Sequence, residues 1–408
     1  MHVWILKDGE SLPTLPESKP MRVWLLGRAL ASRSHTVTWW TSEFSHQRKR
    51  RALDPGTYPV EPGLTLHVLP GKGYTTSVSL RRIAHHRSLA RSFVQAATQL
   101  PVPDLIVAAF PIPELVAAAT QLANTWRVPV VVDIRDVWPD ALFSRLRPRT
   151  AALARLGMAP VYWRLRSSFK NATALTAVSE GYLRWGLQLA ERAERKTDAV
   201  FYLGCPDQPR DDVALSTAAS QFQPFAGRAL VTYVGSFGRS YDLSTVVEAA
   251  GRLWRKGHRD IQFAIAGDGK EAATLRAMAS GSPNITFTGW ISGADAAALL
   301  RLSSIGVVPC SSAPHTLPNK LFEYMAFGLS IVSSLNGEAA ELIRKHEIGR
   351  SYAVGDSEGL AAHIAELTSS PDTLARQRNR SRTLYEERFR AEDIYARYAA
   401  HLEQFAAR

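Results

Sequence analysis

Cysteine is scarce in this sequence, which has only Cys205 and Cys310 among 408 residues. Two cysteines are too few for a disulfide framework, and Cys310 ends an apolar run that predicts a buried strand. A protein stabilised by disulfides is therefore excluded. We expect a reducing compartment, the cytoplasm.

Long apolar runs and metal-binding patterns are also missing. No apolar run approaches the roughly 18 residues that a membrane-spanning helix needs. The first residues, MHVWILKDGE, predict a β-strand and not a signal peptide, because the apolar part is short and is followed by acids. The sequence has no Asp-x-Asp pair and no His or Cys cluster at ligand spacing, so we expect no metal and no cofactor.

Acidic residues are scarce in the first half of the chain. Residues 1–209 contain 27 Lys and Arg against 16 Asp and Glu, whereas the remainder is nearly balanced at 22 against 21. The stretch 141–179 has seven basic residues and no acid. This excess predicts an anionic partner. Nucleic acid is not predicted, because aromatic and basic residues do not alternate in any recognisable binding module.

The length of the chain and its alternating patterns predict an α/β protein with two domains. One ordinary core does not accommodate 408 residues. Strand and helix patterns alternate along both halves, which indicates two Rossmann-like, doubly wound parallel sheets. The predicted parts are a first domain 1–205, a linker 206–228, a second domain 229–390 and a C-terminal helix 391–408.

The stretch SSAPHTLPNKLFEYMAFG, residues 311–328, predicts the main functional site. It follows a predicted buried strand, residues 305–310. Pro318 suits the entry to a helix and Asn319 is a good capping residue, so a helix should start near Asn319. The apolar spacing predicts that its buried stripe is Leu321, Phe322, Met325 and Ala326.

Lys320, Glu323 and Tyr324 are then left near the mouth of this helix. Open parallel sheets bind ligands at the carboxyl ends of their strands, where helix N-termini offer donors to phosphate. A phosphate would explain the cation of Lys320 in the first turn, and Glu323 can accept hydrogen bonds from sugar hydroxyls. The alternative is a solvated Lys–Glu pair on an exposed helix face. The position between two predicted buried strands favours a ligand site.

Two glycine turns predict further contacts to a diphosphate. In YVGSFGRSYDL, residues 233–243, Gly235 and Gly238 let backbone N–H groups approach the ligand. Arg239 can bind it through two parallel hydrogen bonds. The alternative for this turn is plain strand-to-helix geometry. A second turn, GDG, starts at Gly267 and carries a weaker signal.

A charged cluster in the first half lies in VDIRDVWPD, at the carboxyl end of a predicted buried strand. Its members are Asp133, Arg135, Asp136 and Asp140. Buried charges are costly unless they are paired or used, and for Asp133 an internal Arg–Asp pair is the favoured interpretation. Asp136 is the candidate for orienting or activating an acceptor hydroxyl, and Glu10 is a second candidate.

The segment PNKLFEYMAFGLSIVSS, residues 318–334, resembles the nucleotide-sugar site of retaining glycosyltransferases of family 4, which have the GT-B fold. Many of these enzymes have two glutamates separated by seven residues. Glu323 stands where the second, which contacts ribose, is found, and His315 replaces the first, which contacts the transferred sugar. This replacement recurs in a subgroup that resembles bacterial transferases for surface polysaccharides such as O-antigen and capsule.

The resemblance implies two domains facing a cleft, with the last helix crossing back to the first domain. It also implies a UDP-sugar donor and a reaction without an enzyme nucleophile, in which the protein supplies positioning and charge. The implied donor-binding residues are Gly235, Ser236, Arg239, Gly267, Ile291, Asn319, Lys320, Leu321 and Glu323. The catalytic candidates are Asp136, Arg239 and Lys320. His315 and Glu10 are candidates for contact with the donor sugar or the acceptor.

The basic stretch from Arg145 to Lys170 also contains Leu, Val, Tyr and Trp side chains. A helix of this composition is suited to an anionic membrane face. Similar enzymes that act on lipid-linked saccharides dock in this way, so the resemblance implies a polyprenyl diphosphate acceptor at the inner face of the cell membrane. The alternative is a charged helix that caps the first domain.

Together these features predict a hexosyl- or N-acetylhexosaminyltransferase for cell-surface glycan synthesis. It would move a sugar with retention from a UDP-sugar to a lipid-linked saccharide or polysaccharide. Two alternatives remain open. A nucleotide-sugar epimerase of the same fold would need no lipid acceptor, and a non-catalytic partner subunit would bind the nucleotide sugar without the first glutamate.

Overall fold

Parallel strands alternate with helices along the whole chain and form one large sheet in each of two units. The first unit consists of residues 1–202 and 392–408, and the second of residues 203–391. The computed structural model describes residues 1–15, 18–46, 49–76, 79–143, 146–208, 222, 225, 228–238, 240–310 and 317–406.

The first unit is built on an eight-stranded sheet and a small antiparallel hairpin, β3–β4. The strands are β1 His2–Leu6, β2 Thr36–Ser42, β3 Phe44–Ser45, β4 Arg50–Arg51, β5 Gly56–Glu61, β6 Leu64–Leu69, β7 Leu105–Phe110, β8 Val130–Ile134, β9 Ala174–Ala177 and β10 Ala199–Val200. The order across the sheet is β10-β9-β8-β7-β1-β2-β6-β5, and only the β5–β6 pair is antiparallel. Strand order reverses between β1 and β7, which makes this the switch point of the sheet.

The helices of this unit cover the sheet, and their ends follow the local sequence. Those described before residue 203 are α1 Arg22–Ala31, α2 Leu80–Ala97, α3 Pro113–Trp126, α4 Asp140–Phe143, α5 Pro148–Gly157, α6 Ala159–Asn171 and α7 Glu180–Ala190. Ser79 and Ser179 cap α2 and α7 by accepting a backbone hydrogen bond. The basic stretch 145–170 was expected to form one helix. It forms two, because Pro160 has no N–H to continue α5 and instead lies in the first turn of α6.

The second unit has a six-stranded, fully parallel sheet. Its strands are β11 Ala229–Val234, β12 Ile261–Ala266, β13 Ile285–Gly289, β14 Ile305–Val308, β15 Ser330–Ser333 and β16 Gly349–Ser351. The order is β13-β12-β11-β14-β15-β16. This is the strand order of a dinucleotide-binding fold, with its switch point between β11 and β14.

The helices of the second unit lie between these strands and after them. They are α8 Leu243–Arg255, α9 Ala272–Met278, α10 Gly293–Leu302, α11 Asn319–Ala326, α12 Glu338–Lys345, α13 Ser357–Thr368 and α14 Pro371–Leu384. The last helix, α15 Ala391–Ala406, joins the first unit, where the hydroxyl groups of Tyr398 and Thr176 lie 2.7 Å apart. None of the described helices is both long and apolar enough to cross a membrane.

The described end of the polar segment 206–228, which the sequence suggests as a linker, packs within the second unit. Phe222 and Phe225 are buried and pack in a cluster with Leu230 and Leu299. Two aromatic side chains within a polar segment are enough to bury its end, and burial of apolar area is the main stabilising term. The described end of this segment is therefore part of a core.

Candidate functional site

Two glycine turns and the start of α11 lie near the switch point of the second sheet. β11 leads into the turn 235–238, and β12 leads into the turn 267–269. α11 begins at Asn319, as predicted, but its N-cap is Pro318 and not Asn319, which was the predicted capping residue. The predicted stripe is confirmed, since the following side chains are buried: Leu321, Phe322, Met325 and Ala326. The first turn of α11 is thereby left at the carboxyl edge of the sheet, where its N–H groups favour an anion.

The two glycine turns are pressed against each other, backbone to backbone. The N–H of Gly235 donates to the carbonyl of Ala266 at 2.9 Å, and the N–H of Phe237 donates to the carbonyl of Asp268 at 2.9 Å. Gly267 has a φ of +136°, and a Cβ atom there would overlap the carbonyl oxygen of Gly235. Glycine at position 267 is therefore required by the packing of the turns, with or without a ligand.

Lys320 lies over the first glycine turn. Its Nζ is 4.2 Å from the ring centroid of Tyr241 and 4.8 Å from that of Tyr233. A Cβ atom on Gly235 would overlap this Nζ, so the glycine makes room for the lysine. Burial lowers the pKa of Lys320 to about 8, although the carboxylate of Glu323 opposes the shift. Aromatic faces attract this cation only weakly, and a bound phosphate would stabilise it far more.

Tyr324 does not lie at the helix mouth, contrary to the prediction. Its side chain is fully buried, and its hydroxyl accepts a hydrogen bond from the Val234 N–H at 3.1 Å. Gly306 in β14 leaves space for the ring, because a Cβ atom there would overlap it. Tyr324 comes three residues after Leu321, so both share the inner face of the helix. This hydrogen bond connects α11 to the end of β11 and so helps to set the distance of Lys320 from the glycine turn that follows β11.

The other donor candidates differ in exposure. Ser236 and Asn319 are exposed, whereas Ile291 and Glu323 are half-buried. The side chain of Leu321 is fully buried, so only its backbone lies in the first turn of α11, and its N–H already donates to the N-cap carbonyl at 2.9 Å. Of these candidates, Ser236 and Asn319 are the two whose side chains are exposed.

Two predicted site residues, Arg239 and His315, lie outside the residues that the structure describes. Their roles in diphosphate and sugar contact remain predictions. The structure adds Trp290, which directly follows β13 and is 70% exposed. An aromatic ring held open at a strand end is suited to stacking on a ligand. The sequence signal was the tryptophan itself, which stands directly before the predicted donor residue Ile291.

Asp133, in the first unit, is fully buried at the end of β8. Arg22 binds its two oxygens through Nε at 2.9 Å and Nη2 at 2.8 Å, and Arg135 adds a bond at 2.6 Å. Burial alone would raise the pKa of Asp133, but the two arginines hold it well below its usual range. The predicted internal pair is confirmed, and its main partner comes from α1.

Glu10 and Asp140 also have partners inside the first unit. Glu10 accepts a hydrogen bond from the Val23 N–H at 3.1 Å, in the first turn of α1, and forms an ion pair with Arg135. One oxygen of Asp140 accepts a hydrogen bond from the Tyr162 hydroxyl at 2.7 Å. Its other oxygen accepts one from the indole N–H of Trp185, in α7, at 2.8 Å. A contact between Glu10 and an acceptor would therefore require breaking bonds that hold α1.

Asp136 differs from these neighbours. Among the described residues, none forms an ion pair with it. Burial raises the pKa of Asp136, while the N–H of Val137 and the charges of Arg82 and Lys7 oppose the shift. A carboxylate with a raised pKa accepts a proton more readily near neutral pH. Of the carboxylates in this cluster, Asp136 has the properties expected of a base.

Comparison with protein families identifies both halves of the chain. Residues 21–200 match the "Glycosyl transferase 4-like domain", and residues 228–370 match "Glycosyl transferases group 1". The two matches lie in the first and the second unit respectively. With the two Rossmann-like sheets, they show that the chain is a glycosyltransferase with the GT-B fold, which confirms the predicted fold class.

Solved structures with the same fold cover nearly all of the chain. Sucrose-phosphate synthase from Thermosynechococcus elongatus has a TM-score of 0.77 at 18% identity, covering 100% of both chains. HepE from Anabaena in complex with UDP has a TM-score of 0.69 at 16% identity, covering 99% of this chain and 100% of HepE. Trehalose 6-phosphate synthase from Burkholderia multivorans has a TM-score of 0.69 at 14% identity, covering 99% of this chain and 98% of that one. Comparison with curated proteins gives no match.

Proposed function

We propose that this glycosyltransferase moves a sugar, with retention of configuration, from a UDP-sugar to a lipid-linked saccharide or polysaccharide in cell-surface glycan synthesis. The observation that carries the proposal is the ammonium group of Lys320, half-buried over the glycine turn at the switch point. A cation placed there is suited to the charge that develops on a leaving diphosphate. The similar fold of HepE has been solved with UDP and with UDP-glucose, which supports UDP as the nucleotide.

The proposed reaction needs no enzyme nucleophile. The acceptor hydroxyl attacks the anomeric carbon from the side on which the diphosphate leaves, and its proton passes to the departing phosphate oxygen. Lys320 and Arg239 stabilise the departing charge, and Glu323 binds the ribose hydroxyls. Asp136 orients the acceptor hydroxyl. The protein thus contributes position and charge.

Thermal unfolding with UDP, GDP and ADP tests the donor site. A nucleotide at about a hundred times its dissociation constant should stabilise the protein by roughly 2.7 kcal/mol. We expect UDP to raise the unfolding temperature and Glu323→Ala to reduce that rise. Glu341→Ala, an exposed change on α12, is the control and should keep it. If no nucleotide shifts the transition at millimolar concentration, the donor site is wrong.

The surface of α5 and α6 supports the proposed membrane contact. Leu153 and Leu156 are 72% and 74% exposed, and Trp163 is 74% exposed. Ala151 is the only buried residue of α5 among those whose side chains are described. A helix that adds so little to the core, yet exposes apolar side chains among arginines, matches an interfacial helix on anionic lipid.

Vesicle flotation tests this contact. The triple variant Leu153→Ser, Leu156→Ser and Trp163→Ser should lose binding to phosphatidylglycerol vesicles and keep its unfolding temperature, because all three side chains are exposed. Trp290→Ser removes an equally exposed aromatic ring from the second unit and is the matched control. Equal flotation of the wild type, the triple variant and the control would rule out this surface.

A further inference from the structure

The first unit contains a basic pocket, and none of the residues that line it is a proposed donor residue. It is an open cavity of about 600 Å³. Its lining comes from the segments after β2 and β6 and from the first turns of α2. β2 and β6 are parallel neighbours, so the pocket lies at the carboxyl edge of the sheet, where α/β proteins bind ligands. Its basic lining residues are Lys49, Arg51, Lys72 and Arg81.

The positive charge of the four basic lining residues is not neutralised by acidic residues that line the pocket. Glu43 is the only acid among the described lining residues, and its carboxylate already has two partners. It forms an ion pair with Arg51 at 2.5 Å and accepts the Gly71 N–H at 2.9 Å. Lys72 and Arg81 have no carboxylate partner in the part of the chain that the structure describes. Arg81 also lies in the first turn of α2, where the helix dipole disfavours a cation.

Further cations gather around one aromatic ring at the base of the pocket. Lys49 Nζ is 4.8 Å and the Arg82 guanidinium 5.8 Å from the ring centroid of Tyr74. The hydroxyl of Tyr74 is hydrogen-bonded to His46. Burial, together with Lys49 and Arg82, lowers the pKa of His46 to about 4, so this imidazole is neutral at pH 7. Like charges held this close oppose one another, and a bound anion would relieve that repulsion.

The backbone that lines the pocket is fixed in place before any ligand binds. Gly73 has a φ of +64°, and its N–H donates to His85 Nδ1 at 3.1 Å. The other ring nitrogen of His85, Nε2, lies 3.5 Å from Asp8 Oδ2. A Cβ atom on Gly71 would lie 2.6 Å from the ring of His85. A rigid loop loses little entropy when a ligand binds.

We propose that this pocket is a second anion site, which binds the phosphate or diphosphate group of the acceptor. Lys72 and Arg81 would contact the phosphoryl oxygens, and the remaining volume would hold the group attached to them. The role of the ligand as acceptor rests on the proposed transferase function, whereas the binding of an anion does not. Two sources share this chemistry, the diphosphate of a lipid-linked saccharide and a soluble sugar phosphate.

Calorimetric titration of the full chain with pyrophosphate, in saturating UDP, tests the anion site. UDP occupies the donor site, so pyrophosphate reports on the pocket. The double variant Lys72→Glu, Arg81→Glu should weaken pyrophosphate binding at least about tenfold, because two charge-assisted contacts become repulsive. The control Arg87→Glu, Arg91→Glu makes the same charge change at exposed positions of the same helix and should bind as the wild type does.

Three results would overturn the proposal. They are the absence of pyrophosphate binding by the wild type at millimolar concentration, equal affinities in the pocket variant and the wild type, and equal losses in the pocket variant and the control. All titrations use matched ionic strength, which removes general screening as a cause. UDP binding is read separately, from the thermal unfolding described above, so failure of the donor site is distinguished from failure of the pocket.

The source of the phosphoryl group is tested with the same variants. If the ligand is lipid-linked, the pocket variant loses flotation with neutral phosphatidylcholine vesicles that contain a polyprenyl diphosphate, and the control keeps it. If the ligand is soluble, glucose 6-phosphate displaces pyrophosphate and flotation is equal in all proteins. Either result would support the proposed anion site and would show whether its ligand is lipid-linked or soluble. Failure of both probes in a protein that binds pyrophosphate would overturn the acceptor role.

Discussion

Two buried charges at the carboxyl edges of the two sheets differ in how the protein surrounds them. Asp133 meets two arginines, which keep its pKa low although burial opposes them. Lys320 meets two tyrosine rings, and burial lowers its pKa to about 8. A charge that the chain compensates serves the fold. A charge at a ligand-binding edge whose pKa burial shifts toward the neutral form, as for Lys320, is the better candidate for function.

The largest effect should come from breaking the compensated charge. Arg22→Met leaves Asp133 buried with one cation fewer, and removing one partner of a buried pair costs about 3–5 kcal/mol. Arg28→Met is the control, because it removes an arginine of the same helix from an exposed pair with Glu61. That pair should contribute less than about 1 kcal/mol. Denaturant unfolding of both variants measures the difference.

If the two variants unfold at the same denaturant concentration, the network around Asp133 does not hold the fold as inferred. A large loss from Arg22→Met alone would confirm that this cluster is structural. It would also narrow the search for a base to Asp136, whose carboxylate forms no ion pair among the described residues.

Removing Lys320 should affect the reaction and spare the fold. Lys320→Met should lower the rate of sugar transfer by about 10²–10³, the range seen when one group that stabilises developing charge is lost. Its unfolding temperature should stay the same or rise, because a half-buried cation is removed. Lys345→Met, an exposed change on α12, should alter neither. A Lys320→Met protein that is active but unstable would reverse the assignment.

The pH dependence of UDP binding tests whether the ammonium group of Lys320 contacts the ligand. The pKa of Lys320 in the folded protein is lowered from 10.5 to about 8. Between these values the unfolded chain binds more protons, so this group makes the ligand-free protein more stable as the pH rises. Phosphate binding needs the protonated amine, so stabilisation by UDP should fall above about pH 8.

Thermal unfolding with and without UDP, from about pH 7 to about pH 10, checks this prediction. The Lys320→Met variant is the reference, since it lacks the titrating group and should show neither trend. If UDP stabilises the wild type equally at both ends of the range, the ammonium group does not contact the phosphates.

The second unit was more accessible to sequence reasoning than the first. The proposed donor site lies within short segments, each with its own signal, such as the glycine turn at Gly235 and the apolar stripe of α11. Strand β5 has no clear strand pattern in the sequence because its Pro59 disrupts the alternation, although proline is tolerated on an edge strand. Tyr324 was misplaced because the predicted apolar stripe did not include it, whereas its spacing from Leu321 puts it on the buried face.

Sites assembled from distant segments leave no local pattern. The partner of Asp133 lies 111 residues away in α1, and nothing around Arg22 marks it as a buried cation. The basic pocket combines three segments, and each by itself is a solvated basic loop or helix end. The sequence predicts an anionic partner from the charge excess, but only the fold shows which cations share one cavity.

The smallest expected effect concerns Tyr324, which belongs to the core yet positions the functional charge. Tyr324→Phe leaves the buried Val234 N–H without its acceptor, which should cost about 1–3 kcal/mol of stability. Tyr58→Phe, which removes an exposed hydroxyl that bonds to a backbone carbonyl, should cost less than about 0.5 kcal/mol. If Tyr324 sets the distance of Lys320 from the glycine turn, UDP affinity should also fall in the Tyr324→Phe protein, measured by calorimetry below its unfolding temperature. Lower stability with unchanged UDP affinity would mean that the hydroxyl supports the core alone and that Lys320 is positioned by the tyrosine rings beneath it.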